Sequence, residues 1–261
     1  VEAAPGDPFR FAPVSVLKGE AAVLPAVPFL LDRQTAARLD LDPSLAVLGT
    51  WSEAGGWRRF DIVSADLAAF LRGIPALDLS DPRTRLDVFG PMQGHPDEAA
   101  DRMALVELAS LPYPVLRGLE PRIDRRAFAG RIMDPVWTDW APVMILLMGL
   151  SDDPADQTLV RRASEAAARE GRRNLAPWAT ARIEVDGLEG LDWLERVILA
   201  DEARTGSEVR DAGLALASHA PRQDAVGARA RQTMGDLARR HPDLAGLIAA
   251  ALMDGGDWSL A

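Results

Sequence analysis

Apolar residues recur at intervals of three and four positions from about Leu86 to Leu252, with polar residues between them. This interval places the apolar side chains on one face of an α-helix. Short stretches of Pro, Asp and Gly interrupt the pattern, and such residues end one helix and begin the next. The pattern therefore predicts a succession of helices over residues 83–92, 96–110, 112–119, 124–132, 139–150, 154–171, 174–186, 188–200, 205–219, 222–240 and 242–253.

Asp-Pro pairs mark several of these helix starts: Asp81-Pro82, Asp134-Pro135 and Asp153-Pro154. The Asp side chain accepts from the first free N–H groups, and Pro occupies a position whose own N–H has no helical partner. In the 188–200 helix one apolar stripe is predicted, formed by Leu188, Leu191, Leu194, Ile198 and Leu199. The opposite side carries Glu189, Asp192, Glu195 and Arg196, which predicts a solvated face.

The first 80 residues have a different pattern. Two β-prone runs, Val47 to Trp51 and Trp57 to Val63, flank a polar loop with Gly55-Gly56, which predicts a hairpin. Ser64 predicts the cap of a helix over 65–72, and residues 34–41 predict a short helix. Two prolines within residues 23–31 limit that segment to an edge strand or extended chain. We therefore expect a small β-containing module over residues 1–80 and a helical domain over residues 81–261.

The predicted fold class is mainly α, a HEAT-like α-solenoid preceded by the small β-containing module. Helices joined by short connections are antiparallel neighbours, and stacked antiparallel pairs bury their apolar faces against one another. Units of about 40 residues are the size of a HEAT-type helix pair.

The helical part also resembles a known group of proteins, the uncharacterised exported bacterial proteins with a HEAT-like C-terminal segment. The matching stretches are Leu146-Leu147-Met148-Gly149-Leu150 with Asp152-Asp153-Pro154-Ala155-Asp156, the run from Gly187 to Glu195 with Ile198-Leu199-Ala200-Asp201, and Gly256-Asp257-Trp258-Ser259. The resemblance implies a helical-repeat fold and export. It brings no known activity and no site residues.

Composition narrows the function classes. A net charge of −10 and an isoelectric point near 4.9 argue against nucleic-acid binding, which needs a basic face. The chain has no cysteine, which excludes disulfides, thiolate catalysis and Cys-based zinc sites. Its longest apolar run, Ala141 to Leu150, is too short to span a bilayer. The start at Val1 and the Pro/Ala/Gly-rich residues 1–13 lead us to expect a processed, periplasmic or otherwise exported protein, with a trimmed cytoplasmic chain as the alternative.

Motifs that would indicate catalysis are missing from the sequence. His95, His219 and His241 form no His-x-x-x-His or Glu-x-x-His pair for a metal. No phosphate-binding glycine loop, dinucleotide fingerprint or nucleophile elbow occurs. The many carboxylates stand mostly at helix starts, where they offset the helix dipole. We therefore predict no catalytic, cofactor-binding or metal-binding residues and no cofactor.

Tryptophans are the candidate partner-binding residues, because exposed Trp side chains often anchor protein interfaces. The candidates are Trp137, Trp140, Trp258, Trp51 and Trp57. A core role for each ring is the competing interpretation.

Together these patterns favour a non-catalytic exported protein that binds a protein partner through its helical stack or its hairpin. Two alternatives stay open. One is a cell-envelope polymer hydrolase that uses a carboxylate pair, and the other is a sugar- or small-molecule-binding module that uses Trp51 and Trp57.

Overall fold

The computed structural model describes residues 2–4, 7–12, 16–17, 29–54, 56–74, 77–119, 126–171 and 173–254. The described chain is mainly helical, with a small three-stranded antiparallel sheet near its N terminus and a separate hairpin. It forms two compact units: an N-terminal unit, Val1–Thr84 with His95–Asp101, and a helical unit, Arg85–Gly94 with Arg102–Ala261.

The strands are β1 (Glu2–Ala4), β2 (Asp7–Ala12), β3 (Phe29–Leu30), β4 (Ala46–Ser52) and β5 (Gly56–Val63). The α-helices are α1 (Arg33–Leu41), α2 (Ala65–Gly73), α3 (Pro82–Phe89), α4 (Glu98–Ala109), α5 (Tyr113–Leu116), α6 (Arg126–Arg131), α7 (Ala141–Gly149), α8 (Pro154–Glu170), α9 (Leu175–Asp186), α10 (Leu188–Leu194), α11 (Gly206–His219), α12 (Ala225–Arg240) and α13 (Ala245–Asp254). Short 3-10 turns cover Gly90–Met92, Pro135–Trp137 and Pro242–Leu244, and a π-helix covers Glu195–Leu199.

The N-terminal unit contains the predicted hairpin. Strands β4 and β5 pair antiparallel, with Trp51 opposite Trp57 and Val47 opposite Ile62. The predicted cap of α2 is also confirmed, because the Ser64 side chain accepts from the Leu67 N–H at 3.1 Å. Val47 packs with Phe11, Leu31 and Ala36 in a small core of this unit.

Strands β1 and β2 fall where the sequence predicts only a Pro/Ala/Gly-rich leading segment. A strand that is stabilised by pairing with distant residues cannot be predicted from local sequence that is rich in proline and glycine. Here β2 pairs with β1 on one side and with β3 on the other, and Phe11 is buried. Strand β3 lies at the sheet edge, as the prolines of residues 23–31 predict, although residues 18–28 lie outside the described part.

The helical unit follows the predicted order of helices closely. Asp153 caps α8, with its side chain accepting from the Ala155 N–H at 2.8 Å, and Asp134 caps the 3-10 turn Pro135–Trp137. The predicted helix over 188–200 differs in one respect. Its second half is the π-helix, in which the Ala200 N–H donates to the Glu195 carbonyl at 2.8 Å and skips one residue of the α-helical spacing.

Helix α9 contacts α7, α8, α10 and α11, and lies at the centre of the helical unit. Glycines allow two of these close approaches. A Cβ on Gly149 of α7 would lie 2.7 Å from the Ala181 Cα, and a Cβ on Gly190 of α10 would lie 2.7 Å from the Arg182 carbonyl oxygen. The apolar α7 is almost wholly buried against its neighbours. Within the described residues, no helix has the length and apolar character needed to cross a membrane.

Candidate functional site

Trp137 and Trp140 lie on the turn between α6 and α7. The side chain of Asp134 accepts from the Val136 N–H at 2.9 Å and so begins the 3-10 turn that carries Trp137. The two indole rings pack edge to face, with centroids 5.7 Å apart. Trp137 is buried at 7% exposure, and Trp140 is half-buried.

Two arginines cover the Trp137 ring. The guanidinium carbon of Arg131 lies 4.4 Å from the ring centroid, and that of Arg102 lies 5.0 Å from it. Arg102 also lies 5.1 Å from the Trp140 centroid. Such cation–π contacts hold the rings by the attraction of the positive charge to the aromatic face. Trp137 is therefore a packed side chain with two guanidinium groups against its ring.

The exposed apolar side chains of this turn are Met133 and Val136, which the sequence analysis does not single out. Met133 is 71% exposed and Val136 is 60% exposed. Both flank the Asp134-Pro135 helix start, where the chain must leave the core. The sequence signal for their exposure is the position of a large apolar residue on each side of an Asp-Pro pair.

Trp51 and Trp57 face each other across the hairpin. Their ring centroids are 5.6 Å apart with the planes tilted by 55°, and both side chains are half-buried. Trp57 also packs against the core of the N-terminal unit. The two rings are brought together as the sugar-binding hypothesis requires, but they pack on each other. Trp258 and Gly55 lie outside the described residues.

The densest group of titratable side chains surrounds Glu184 of α9. Arg117 donates from Nε to Oε2 of Glu184 at 2.9 Å, and the Tyr113 hydroxyl donates to the same oxygen at 3.2 Å. Arg222 donates from Nη1 to Oε1 of Glu184 at 3.4 Å. The imidazole of His219 completes the group, and we call these five residues the Glu184 cluster.

His219 has no exposed surface. Its Nε2 lies 3.1 Å from the carbonyl oxygen of Thr180, which can only accept, so Nε2 carries the proton. Its Nδ1 faces Oε2 of Glu184 at 3.6 Å and finds no hydrogen-bond partner among the described residues. The pKa of His219 is lowered to about 4. Burial is the main cause, and it outweighs the nearby charge of Glu184, which by itself would raise the pKa.

The pKa values of Tyr113 and Arg222 in the Glu184 cluster are shifted as well. Burial raises the pKa of Tyr113 well above its usual value, and the neighbouring Glu184 charge adds to that effect. Burial alone would lower the pKa of Arg222, but its hydrogen bonds to Asp224 and the charge of Glu184 raise it. The cluster therefore holds a neutral imidazole and a neutral phenol beside the Glu184 carboxylate and two arginines. Hydrogen bonds to Glu184 connect α9 with Tyr113 of α5, with Arg117 at the end of α5 and with Arg222, which follows α11.

The carboxylates behind the hydrolase alternative are placed in ion pairs and caps. Asp186 pairs with Arg161 at 2.7 Å and also with Arg182, while Asp156 accepts from the Ser151 hydroxyl at 2.6 Å. Burial raises the pKa of Asp211. Asp186 and Asp156 are therefore carboxylates with ion-pair or hydrogen-bond partners inside the helical unit.

Glu195 makes hydrogen bonds to a neighbouring helix, although the sequence predicts a solvated face at this position. It accepts from Nε of Arg229 at 2.9 Å, from Nη2 of Arg229 at 2.6 Å and from the Thr233 hydroxyl at 2.5 Å. The Arg229 hydrogen bond lowers the pKa of Glu195 against the effect of burial. Both partners lie on α12, which packs against α10.

No group of three or more His, Asp and Glu side chains is arranged to hold a metal ion in the described ranges. Comparisons of the chain with models of protein families, with curated proteins and with solved structures find no match.

Proposed function

We propose that this chain is a non-catalytic protein that binds a partner protein through the turn between α6 and α7. The observation that carries the proposal is the exposure of Met133 and Val136, at 71% and 60%, next to the Trp137–Trp140 pair. We call Met133, Val136 and Trp140 the Met133 surface. Complete burial of an exposed apolar side chain by a partner contributes about 1.5–3 kcal/mol to the free energy of binding.

The packing that holds this turn in one conformation is stronger support for binding than the exposure of its apolar side chains. Isolated apolar residues are normal on protein surfaces. Here they are three positions apart on one turn, and the Trp137 ring of the same turn is contacted by Arg131 and Arg102. A surface held rigid before binding loses less conformational entropy when a partner docks.

The partner's surface should be apolar at its centre and basic at its rim. The same turn exposes Asp134 and Asp139 beside the apolar residues. Complementary charges at a rim orient the encounter and exclude wrong partners. The chain's net charge of −10 also favours a partner with a basic surface.

The HEAT-like stack is the second part of the proposal. It is supported by the order of helix contacts, because α7 contacts α9, α9 contacts α11 and α11 contacts α13, while α8, α10 and α12 pack beside this row. In a stack each pair contacts only its neighbours, so the last helices open independently. Hydrogen exchange should show α13 opening before α9, and simultaneous opening of both would contradict the stack. Export stays a prediction, which fractionation of the native cells tests.

The experiment for partner binding uses the full chain with a photo-crosslinking residue in place of Val136. The matched control carries it in place of Leu188, an apolar residue at 47% exposure on α10. We expect one protein with a basic surface to crosslink at position 136 only. The purified complex should then weaken at least tenfold with Met133→Asp plus Val136→Asp and stay unchanged with Leu188→Asp.

Two results would reject the proposal. The first is equal crosslinking from positions 136 and 188, which indicates non-specific adhesion. The second is a partner whose affinity is unchanged by the double substitution at Met133 and Val136. The hydrolase and sugar-binding alternatives remain hypotheses, and polymer turnover and sugar titration test them.

A further inference from the structure

A cavity of about 280 Å³ lies beside the π-helix of the helical unit. Its lining includes Leu199 and Ala200 from the π-helical end and Gln232, Asp236 and Arg240 from α12. A water molecule takes about 30 Å³ of liquid, so the space admits a small organic molecule as well as single waters. Cavities that combine an apolar wall with a few polar groups are the usual form of small-ligand sites.

The acidic groups of the cavity already have partners. Both carboxylate oxygens of Glu195 accept from Arg229, and Thr233 adds a third hydrogen bond. The carboxylate of Asp236 pairs with Arg239, which does not line the cavity. These negative charges are compensated, so a cation entering the cavity would find them occupied.

Arg240 is different. Its Nη1 donates to the carbonyl oxygen of Leu199 at 3.1 Å, at the end of the π-helix. Its charge helps to lower the pKa of Glu195, but within the described residues no carboxylate lies within 4.0 Å of its guanidinium, which leaves several N–H donors for another acceptor. The exposed amide of Gln232 lines the same cavity and makes no hydrogen bond to another described residue.

The Leu199 carbonyl is available because it lies at the C-terminal end of its helix, where the last four carbonyls have no partner within the helix. The turn that carries it is π-helical, with the Ala200 N–H bonded to the Glu195 carbonyl. π-helical turns are rare, and they occur often at functional sites. Here the turn anchors one edge of the Arg240 guanidinium and leaves the other edge for a ligand.

We propose that this cavity binds a small organic anion, whose carboxylate or phosphate group pairs with Arg240 and whose carbon chain packs on Leu199 and Ala200. Guanidinium groups match both anions because their N–H donors form two parallel hydrogen bonds. Gln232 supplies a further donor at the cavity mouth. The site is independent of the Met133 surface, and neither proposal requires the other.

The test titrates the full chain by calorimetry with succinate, 1,4-butanediol and putrescine, which share a four-carbon chain but carry negative, zero and positive charge. Glycerol phosphate and glycerol form the phosphate arm. We expect saturable binding of an anion and none of the neutral or cationic probes. Succinate binding without glycerol phosphate binding assigns a carboxylate, the reverse assigns a phosphate, and binding of both assigns the shared anion chemistry.

Variants locate the site. Arg240→Gln should weaken anion binding at least tenfold, because it removes a charged hydrogen-bond donor, and Arg240→Lys should retain part of the affinity. Arg169→Gln is the matched control, since Arg169 is an exposed arginine of α8 that does not line the cavity. Unfolding curves confirm that each variant is folded. Absence of saturable binding by either anion at millimolar concentration, or an unchanged affinity in Arg240→Gln, would overturn the proposal.

Discussion

The imidazole Nδ1 of His219 lies 3.6 Å from the carboxylate of Glu184, at a position where the His219 ring has no contact with solvent. Because Nε2 donates to the Thr180 carbonyl, Nδ1 is the nitrogen that must accept any further proton. Protonation of His219 would therefore place a positive charge on a ring that has no contact with solvent.

His219 should make the protein lose stability in mild acid. Burial places its pKa at about 4 in the folded chain, below the value of about 6.5 in an unfolded chain. Between these values the unfolded state binds the proton more readily, so falling pH favours unfolding. We expect a loss of about 2–3 kcal/mol from this group between about pH 6.5 and pH 4.5.

The matched variant is His219→Gln, which keeps a donor for Thr180 but cannot titrate. Urea unfolding of both proteins should give a stability difference that narrows as the pH falls. Parallel stability curves over the same pH range would show that His219 does not titrate as described.

Removing the Glu184 charge should destabilise the helical unit strongly. Glu184→Gln leaves Arg117 and Arg222 without their shared carboxylate, and breaking a buried pair from one side costs several kcal/mol. We expect a loss of about 2–4 kcal/mol in urea unfolding, since the side chain keeps 13% exposure. Asp192→Asn, at an exposed ion pair, should change stability by less than about 0.5 kcal/mol. Equal effects of the two substitutions would mean that the Glu184 cluster is not a stabilising junction.

The crossing of α7 and α9 should not tolerate a methyl group at position 149. Gly149→Ala brings a Cβ within 2.7 Å of the Ala181 Cα, and backbone cannot move aside as a side-chain tip can. We expect destabilisation of about 1–3 kcal/mol, despite the better helix propensity of alanine. The control Gly246→Ala in α13 meets open space and should be neutral or stabilising by up to about 1 kcal/mol. Thermal unfolding measures both, and a stabilised Gly149→Ala protein would disprove the close crossing.

Trp137 and Trp140 should differ in their contribution to stability. Trp137 is buried under two arginines, so Trp137→Ala should cost about 3–5 kcal/mol. Trp140 is half-buried, and Trp140→Ala should cost clearly less. Urea unfolding separates the two variants. Similar losses would contradict the burial difference, and the expected result explains why Met133 and Val136 are the better positions for testing partner binding.

Local sequence signals determined most of the helix boundaries. Ser64 and Asp153 cap their helices as predicted, because a cap depends on groups only two or three residues away. The hairpin that pairs Trp51 with Trp57 is equally local, since two adjacent β-prone runs are joined by a short polar loop. These features need no knowledge of the rest of the chain.

Only the tertiary structure decided which helix faces meet. Glu195 stands on the polar side of its helix by periodicity, yet Arg229 and Thr233 of α12 occupy its carboxylate. His219 meets Glu184 because α9 and α11 pack together, and no spacing in the sequence relates the two residues. Periodicity gives the direction of a side chain around its own helix axis. Which partner lies in that direction depends on packing between elements distant in the chain, which decided both the Glu184 cluster and the cavity at Arg240.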